Sequence, residues 1–278
     1  MNDCYVDGIL TQMIIASLSA GKVILEHYAK GFDSWSKEDS TPVTNADLEA
    51  ADIIIRTLSK NCGDCAFLCE ETAEALDDSG VPVRMSASRI FIIDPLDGTR
   101  SFINGTGQFA VSVSYVESHV AKAAVIYAPV CDKLYYAEHG KGAWRISGKN
   151  FVGELFCGDK LHVSDRENDL ILLVGNTDND PILRKVIEHN SHRISKVIPV
   201  SSCIKGCMIA EGSADVHYKF ASYTKEWDTS AEELICREAG GIVTDANGAP
   251  LISNRPEIAN LKGIRLLNRE ASALEMPI

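Results

Sequence analysis

Apolar residues recur along the first part of the chain at the three- and four-residue spacing that is typical of amphipathic helices. They predict a first helix over residues 6–28. A second helix is predicted to begin near Thr44, because Thr44 and Asp47 have the spacing of a capping box. The polar, turn-rich residues 31–44 predict a loop or hairpin. The chain therefore opens on two helices joined by an irregular segment.

Short apolar runs then predict strands, and two of these strands end at carboxylates. Residues 66–69 form a run that ends at Glu70 and Glu71, and residues 90–93 form a run that ends at Asp94. Further strands are predicted over residues 109–116, 121–127 and 133–138. Carboxylates at strand ends are candidates for a functional site.

From about residue 150 the predicted elements become shorter and alternate between strand and helix. Strands are predicted over residues 170–174, 197–200 and 242–244, and helices over residues 181–190, 202–210 and 229–239. No repeat or low-complexity linker interrupts the chain, which favours two closely packed lobes, residues 1–150 and 151–278. The polar residues 72–88 predict a mobile surface loop in the first lobe.

Composition and charge restrict the function. A chain of 278 residues with 45% hydrophobic residues can bury a large core. The net charge of −12 argues against binding to nucleic-acid polymers, because no basic face is available for a polyanion. A small phosphate ester could still bind if cations reverse the sign of the field inside one pocket.

The N-terminal sequence and the cysteines indicate the cytoplasm. The apolar stretch of residues 9–25 is broken by polar residues and predicts neither a signal peptide nor a membrane span. Nine cysteines, an odd number, are typical of a reducing compartment. Cys62, Cys65 and Cys69 could form a zinc or redox site, but no second ligand pair follows nearby, which favours incidental thiols.

The segment Asp94-Pro95-Leu96-Asp97-Gly98-Thr99 carries the strongest chemical signal. Two carboxylates that flank a proline at a strand end suit hard cations such as Mg²⁺, Mn²⁺ or Ca²⁺. The Leu96 carbonyl is a further candidate ligand, and the Gly98 and Thr99 amides could face a phosphate if they open a helix. A plain turn is the alternative, but five fixed identities arise by chance with a probability on the order of 10⁻⁴.

Four other acidic residues are weaker candidates on their own. Glu70 is the better candidate for a direct ligand, while Glu71 could orient a water or serve a second ion. Asp228 is equally well explained as a helix N-cap. Asp47 is a capping residue by default, or a general base that acts through the Thr99 hydroxyl on the attacking water.

These motifs together resemble the inositol monophosphatase superfamily of lithium-sensitive phosphatases. The segments are residues 94–99, Glu70-Glu71, and Trp227-Asp228 followed by Glu238-Ala239-Gly240-Gly241. The resemblance implies an α/β fold, a sandwich with alternating α-β-α-β-α layers. It also implies metal ligands at Glu70, Asp94, the Leu96 carbonyl, Asp97 and Asp228, phosphate-binding amides at Gly98 and Thr99, and a catalytic set of Asp47, Thr99 and Glu71.

Within the superfamily the chain resembles the 3′(2′),5′-bisphosphate nucleotidases of the CysQ type more than the inositol phosphatases. Residues 37–47, 107–111, 128–130, 201–205 and 210–212 carry this likeness. Ser202 and Lys205 could bind a second phosphate, or be an N-cap and a surface lysine. Arg100-Ser101-Phe102 and Lys219-Phe220-Ala221 depart from the usual pattern of the branch. The implied substrate contacts are Gly98, Thr99, Ser202, Lys205, Lys219 and Asp228.

The resemblance implies a phosphomonoesterase that uses two or three Mg²⁺ ions, is inhibited by Li⁺ and acts in sulfate assimilation. Its predicted reaction is in-line attack of water on adenosine 3′,5′-bisphosphate, which gives AMP and phosphate. Inositol monophosphate or a sugar phosphate is the alternative substrate, and an inactive metal-binding regulator is the alternative of another class. A small phosphorylated substrate is the predicted partner, with no integral membrane association, in a monomer or homodimer.

Overall fold

The computed structural model describes residues 8–72, 76, 80–147, 158–176, 180–220 and 224–277. The α-helices within these ranges are α1 (Gly8–Lys30), α2 (Asn45–Asn61), α3 (Thr99–Ile103), α4 (Pro181–His189), α5 (Ile204–Ala210) and α6 (Glu226–Glu238). The first strands are β1 (Ser34–Ser36), β2 (Pro42–Thr44), β3 (Ala66–Cys69), β4 (Arg89–Asp97), β5 (Ala110–Glu117), β6 (Val120–Ala128), β7 (Lys133–Glu138), β8 (Gly142–Ser147) and β9 (Asp159–Lys160). The remaining strands are β10 (Leu170–Val174), β11 (Ile194–Pro199), β12 (Val216–Lys219), β13 (Ile242–Thr244) and β14 (Ile264–Leu267).

The larger sheet joins β3 to β9 in chain order. β3 and β4 are parallel, and every later neighbour in this order is antiparallel. Successive side chains of a strand alternate between the two faces. Phe91 and Ile93 accordingly pack with α1 and α2, whereas Ile90 and Ile92 pack with α5 and α6. The sheet is thus covered by helices on both faces.

The smaller sheet has the strand order β11-β10-β12-β14-β13. On one face Leu173 packs with Ile209 of α5 and Cys236 of α6. On the other face Leu172 packs with Leu183 of α4. The order of layers is therefore α1 and α2, larger sheet, α5 and α6, smaller sheet, α4. This arrangement confirms the predicted layered α/β fold.

The N-terminal predictions are confirmed. Residues 31–44 contain the antiparallel hairpin of β1 and β2. Thr44 caps α2, and the capping box with Asp47 is formed. The predicted start of the first helix, residues 6 and 7, lies outside the described residues. α1 has the length and composition of a membrane span, but its apolar face, which includes Leu10 and Ile24, is buried in the core.

Two predicted helix starts are wrong. α5 begins at Ile204 and not at Ser202, because Ser202 has φ 63°, in the left-handed region that a right-handed helix excludes. α6 begins at Glu226 and not at Thr229. Strand β11 covers residues 194–199 where residues 197–200 were predicted.

Part of the predicted mobile loop is tied to the protein. Residues 83–86 form a 3₁₀ helix, and Arg84 is buried. Its guanidinium donates to Asn254 Oδ1 at 2.6 Å and to the Arg255 carbonyl at 2.8 Å. This stretch is therefore anchored, because a buried arginine needs its acceptors. The rest of the predicted loop includes residues 73–75 and 77–79, outside the described part.

The boundary at residue 150 stays a prediction. β9, residues 159–160, is the last strand of the larger sheet, and α6 packs on that sheet from the C-terminal part of the chain. Segments from both predicted lobes thus build the layer in which the carboxylates lie.

Candidate active site

Asp94 and Asp97 face the same side of the larger sheet although they are three residues apart. In a regular strand two such residues would point to opposite faces. Here Asp94 pairs with Ser112 and Asp97 pairs with Ala110, so β4 has one extra residue between the aspartates. This β-bulge places both carboxylates on the face that α5 and α6 cover.

Glu70 and Asp228 come to the same place from other parts of the chain. Glu70 directly follows β3, and its backbone N–H donates to the carbonyl of Ile93, next to Asp94. Carboxylate oxygens of Glu70, Asp94 and Asp228 all lie within 4.8 Å of one another. The structure therefore brings together three of the residues that the sequence motifs singled out.

The start of α6 fixes Asp228. The helix begins at Glu226, so Asp228 is its third residue, and Asp228 Oδ2 accepts from the Lys225 backbone N–H at 2.5 Å. The Ser112 hydroxyl of β5 donates to the Trp227 carbonyl at 3.3 Å and ties the helix start to the sheet. The alternative of Asp228 as an N-cap is wrong, because it lies inside the first turn.

The chemistry of this cluster suits a hard cation. Burial raises the pKa of Asp94 well above its ordinary value, and the neighbouring charges of Glu70, Asp97 and Asp228 raise it further. Burial, then Asp97 and Glu70, does the same to the pKa of Asp228. Several carboxylates held so close repel one another unless a cation lies between them. Carboxylate oxygens are also the ligands that Mg²⁺ prefers.

Asp97 is held from the side of α5. Its Oδ2 accepts from the Cys203 backbone N–H at 2.5 Å. Burial raises the pKa of Asp97, while Lys205 opposes that shift. The Leu96 carbonyl oxygen, a candidate ligand, lies 3.2 Å from the Thr99 hydroxyl oxygen. Asp97 and this carbonyl can add oxygen donors to the cluster of Glu70, Asp94 and Asp228.

Asp47 makes the hydrogen bonds that both of its predicted roles require, and its role as a general base stays a prediction. Its Oδ2 accepts from the backbone N–H of Thr44 at 2.8 Å and from the Thr44 hydroxyl at 2.5 Å. Its Oδ1 accepts from the Thr99 hydroxyl at 3.0 Å. Burial raises the pKa of Asp47, although its hydrogen bonds oppose the rise. A buried carboxylate with a raised pKa is a stronger base than an exposed one.

Gly98 shapes the turn that follows the bulge. It is the N-cap of α3 and has φ 98°, which favours glycine. A Cβ at this position would lie 2.8 Å from the Gln108 carbonyl oxygen. Thr99 is the first residue of α3, so the expected helix opens here. The amides of Gly98 and Thr99 belong to the helix start, where backbone N–H groups have no partner within the helix.

Glu71 is paired with a lysine of the β1–β2 hairpin. Lys37 Nζ lies 2.7 Å from Glu71 Oε1 and 3.2 Å from Glu70 Oε1. Burial raises the pKa of Glu71 to about 7, while Lys37 opposes the rise. The Glu71 side chain is only 4% exposed. Lys37, which sequence reasoning had placed in a loop without a role, thus reaches the carboxylate cluster.

A cavity of about 320 Å³ opens beside Asp97 and Asp228. Cationic side chains line it, and they are Arg100, Lys205 and Lys219. Lys205 Nζ donates to the Ser202 carbonyl at 2.6 Å and is half-buried, so it is not a plain surface lysine. The candidate substrate residues Lys205, Lys219 and Asp228 thus line one cavity, whereas Gly98 and Thr99 are not among the residues that line it.

Ser202 also lines the cavity, and the alternative that it is the N-cap of α5 is wrong. The N-cap of α5 is Cys203. The Ser202 hydroxyl accepts from the Ile204 backbone N–H at 3.3 Å. Its left-handed backbone conformation, with φ 63°, turns the chain immediately before the amide that holds Asp97.

Sequence reasoning missed two other residues of the cavity wall. His217 of β12 and Glu232 of α6 are both buried and line the cavity. Glu232 Oε2 accepts from the Gly206 backbone N–H at 3.2 Å, and burial raises its pKa to about 8. A Cβ on Gly206 would lie 2.6 Å from Glu232 Cβ. A charged residue in the middle of a buried helix was the signal for Glu232, whereas strand β12 had not been predicted.

The cysteine cluster gives no sign of special reactivity. Cys62, Cys65 and Cys69 are free thiols. Burial raises the pKa of all three, that of Cys69 to about 12. A raised pKa keeps a thiol protonated and unreactive. This agrees with the interpretation as incidental thiols.

The fold and the site together define a layered α/β protein whose carboxylate cluster can hold a hard divalent cation beside a polar cavity. The model of the inositol monophosphatase family matches residues 8–273. The chain therefore belongs to the inositol monophosphatase family, and it is a phosphatase of that family.

Relatives and solved structures agree with this assignment. The 3′(2′),5′-bisphosphate nucleotidase CysQ of Aggregatibacter actinomycetemcomitans is 32% identical over 251 residues, which cover 90% of this chain and 88% of that protein. CysQ of Salmonella typhimurium is 31% identical, with 87% and 92% coverage. The crystal structure of CysQ from Bacteroides thetaiotaomicron has a TM-score of 0.78 at 31% identity and covers 93% of this chain and 97% of its own. The suhB protein from Bartonella henselae has a TM-score of 0.79 at 26% identity, with 96% of both chains covered.

Proposed function

We propose that this protein is a Mg²⁺-dependent 3′(2′),5′-bisphosphate nucleotidase that converts adenosine 3′,5′-bisphosphate to AMP and phosphate. The observation that supports this most is the cavity wall of Arg100, Lys205 and Lys219 next to Asp97 and Asp228. In a chain of net charge −12, three cations around one small cavity favour a ligand with a second anionic group. The CysQ relatives carry the same activity in their names.

The donor set fits Mg²⁺. Its ligands would be Glu70, Asp94, the Leu96 carbonyl, Asp97 and Asp228, all oxygen donors. When bound, Mg²⁺ supplies Lewis-acid chemistry, since it lowers the pKa of a water and neutralises charge on the phosphate.

The residues of the chain then have separate tasks. The Thr99 hydroxyl donates to Asp47 Oδ1, so its lone pairs can accept a hydrogen bond from the attacking water. Proton transfer from the water to Thr99, and from Thr99 to Asp47, leaves a nucleophilic oxygen that attacks phosphorus in line. The bond from phosphorus to the 3′ oxygen breaks on the opposite side, and the 3′ oxygen takes a proton from solvent water. The amides of Gly98 and Thr99 face the phosphate oxygens. Lys205 and Lys219 bind the second phosphate, and Lys37 holds Glu71 in place.

One assay tests this proposal and its competitors. Phosphate release is measured with Mg²⁺, and again with EDTA, from adenosine 3′,5′-bisphosphate, myo-inositol 1-phosphate and fructose 1,6-bisphosphate in parallel. We expect the highest kcat/KM for the nucleotide and no turnover in EDTA. A higher value for inositol phosphate would reject the nucleotidase, and no turnover of any substrate would favour an inactive regulator.

A charge-removal variant tests the second-phosphate site. Lys205→Met is expected to lower kcat/KM for adenosine 3′,5′-bisphosphate by about 10- to 100-fold, the usual worth of a hydrogen bond to a charged group. The loss should be smaller for adenosine 3′-monophosphate, which lacks the second phosphate and is affected only through the charge of Lys205 beside Asp97. Lys185→Met, at an exposed position of α4, is the matched control. Equal losses on both nucleotides would contradict the assignment. Inhibition by Li⁺, the number of metal ions, the oligomeric state and the cytoplasmic location stay predictions.

A further inference from the structure

His217 is a buried imidazole in the wall of the substrate cavity. It lies in the middle of β12 and is 2% exposed. The cavity that it lines also contains Lys205, Lys219, Asp97 and Asp228. None of the tasks assigned above to the chain uses this side chain.

The hydrogen bonding of the ring defines its protonation. His217 Nδ1 lies 2.9 Å from the Leu173 carbonyl, which can only accept, so Nδ1 carries the proton. Burial, then the charges of Lys205 and Lys219, lowers the pKa of His217 to about 3. The ring is therefore neutral at physiological pH, and Nε2 is a hydrogen-bond acceptor.

Nε2 is the ring nitrogen left for the cavity. The opposite edge is fixed to β10 through Leu173, and within the described residues Nε2 has no hydrogen-bond partner. His217 lines the cavity, so Nε2 is an acceptor that a ligand or a water in the cavity can use. Lys205 and Lys219 cannot accept a hydrogen bond in place of Nε2, because ammonium groups are donors only.

The polarity of Nε2 selects the group that it can recognise. A phosphate dianion has no proton to donate, so it binds to the lysines and not to this nitrogen. A hydroxyl can donate. In adenosine 3′,5′-bisphosphate the 3′ and 5′ oxygens carry phosphates, so the 2′-hydroxyl is the one free hydroxyl of the sugar.

We propose that His217 is a specificity-determining residue whose Nε2 accepts a hydrogen bond from the 2′-hydroxyl of the substrate. This inference rests on the proposed nucleotidase function. In this arrangement the lysines bind the second phosphate of the substrate, and the neutral His217 beside them binds the ribose hydroxyl.

A two-by-two comparison of substrate and variant tests the contact. The kcat/KM is measured for wild type and His217→Phe with adenosine 3′,5′-bisphosphate and with its 2′-deoxy analogue. We expect each single change to lower kcat/KM by about 10- to 100-fold, since each leaves one polar group unpaired. The two losses should not add, so His217→Phe and wild type turn over the deoxy analogue about equally well.

A conservative variant and the wild-type result show whether the His217 contact alone fails or the proposed nucleotidase function fails with it. His217→Gln keeps an acceptor oxygen near the position of Nε2 and should restore the preference for the 2′-hydroxyl. If His217→Phe lowers kcat/KM equally for both substrates, or if wild type does not distinguish them, the contact does not exist while the nucleotidase function stands. If wild type releases no phosphate from either nucleotide, the proposed function and this inference both fail.

Discussion

Asp47 allows the structural and chemical roles of one carboxylate to be separated. Its Oδ2 belongs to the N-terminal cap of α2, through Thr44, and its Oδ1 accepts from Thr99. Three substitutions test these hydrogen bonds separately. Thr44→Val removes the hydroxyl of the cap, Thr99→Val removes the proposed proton path, and Asp47→Asn removes the acceptor for Thr99 while its amide oxygen can keep the cap.

The substitutions are expected to change different quantities, the free energy of unfolding in one case and kcat in the other. Loss of the Thr44 cap hydroxyl should lower the free energy of unfolding by about 1 kcal/mol, with kcat largely retained. Thr99→Val should lower kcat by about 10²- to 10⁴-fold, the usual contribution of general-base catalysis, with little loss of stability. In Asp47→Asn the amide oxygen can keep the cap, but its NH₂ group then faces the Thr99 hydroxyl and cannot accept from it.

The assays are urea unfolding followed by circular dichroism, and steady-state phosphate release at saturating Mg²⁺. Thr99→Ser is the matched control for Thr99→Val, because it keeps the hydroxyl and should keep most of kcat. The reasoning is refuted if Thr44→Val loses as much kcat as Thr99→Val, or if Asp47→Asn remains fully active.

Three further perturbations follow from the same geometry. Asp94→Asn should melt at a higher temperature than wild type in EDTA, because it relieves carboxylate repulsion. It should lose the stabilisation by Mg²⁺, about 2.7 kcal/mol at 100 times Kd, measured by thermal shift. Gly98→Ala should lower the unfolding free energy in urea by about 2–4 kcal/mol, because its Cβ would lie 2.8 Å from the Gln108 carbonyl in a left-handed conformation. Because the folded pKa of His217 is lowered to about 3, its contribution to stability is present above pH 6.5 and is lost as pH falls. Relative to His217→Phe, wild type should therefore lose about 1.4 kcal/mol of unfolding free energy per pH unit as pH falls below 6.5, and an equal pH dependence of the two proteins would contradict this.

Local sequence rules predicted the elements that carry most of the site. The periodicity of residues 66–69 and 90–93 found β3 and the centre of β4, and the capping pattern found the start of α2. These features depend on neighbours in the chain, so the sequence exposes them directly. The layered arrangement and the grouping of acidic residues came from the family likeness of the motifs.

Features that depend on distant parts of the chain could not be read in this way. The left-handed Ser202 follows from no turn signature, and the early start of α6 is fixed by contacts with β5. His217 belongs to a four-residue strand whose residues are nearly all buried, so no alternation of apolar and polar residues marks it. The lowering of its pKa depends first on burial and then on the charge of Lys205, which is on another element.

Three aspartates of the site are each held by a backbone N–H group, a feature that the sequence does not reveal. Asp94 accepts from the Leu96 backbone N–H, Asp97 from that of Cys203, and Asp228 from that of Lys225. In each case a backbone amide fixes one carboxylate oxygen, which leaves the second oxygen for another partner. Backbone donors are part of the folded chain and lose little entropy when they hold a side chain, whereas a lysine would add a competing positive charge. These backbone hydrogen bonds explain how a protein of net charge −12 can hold several carboxylates close together in fixed orientations.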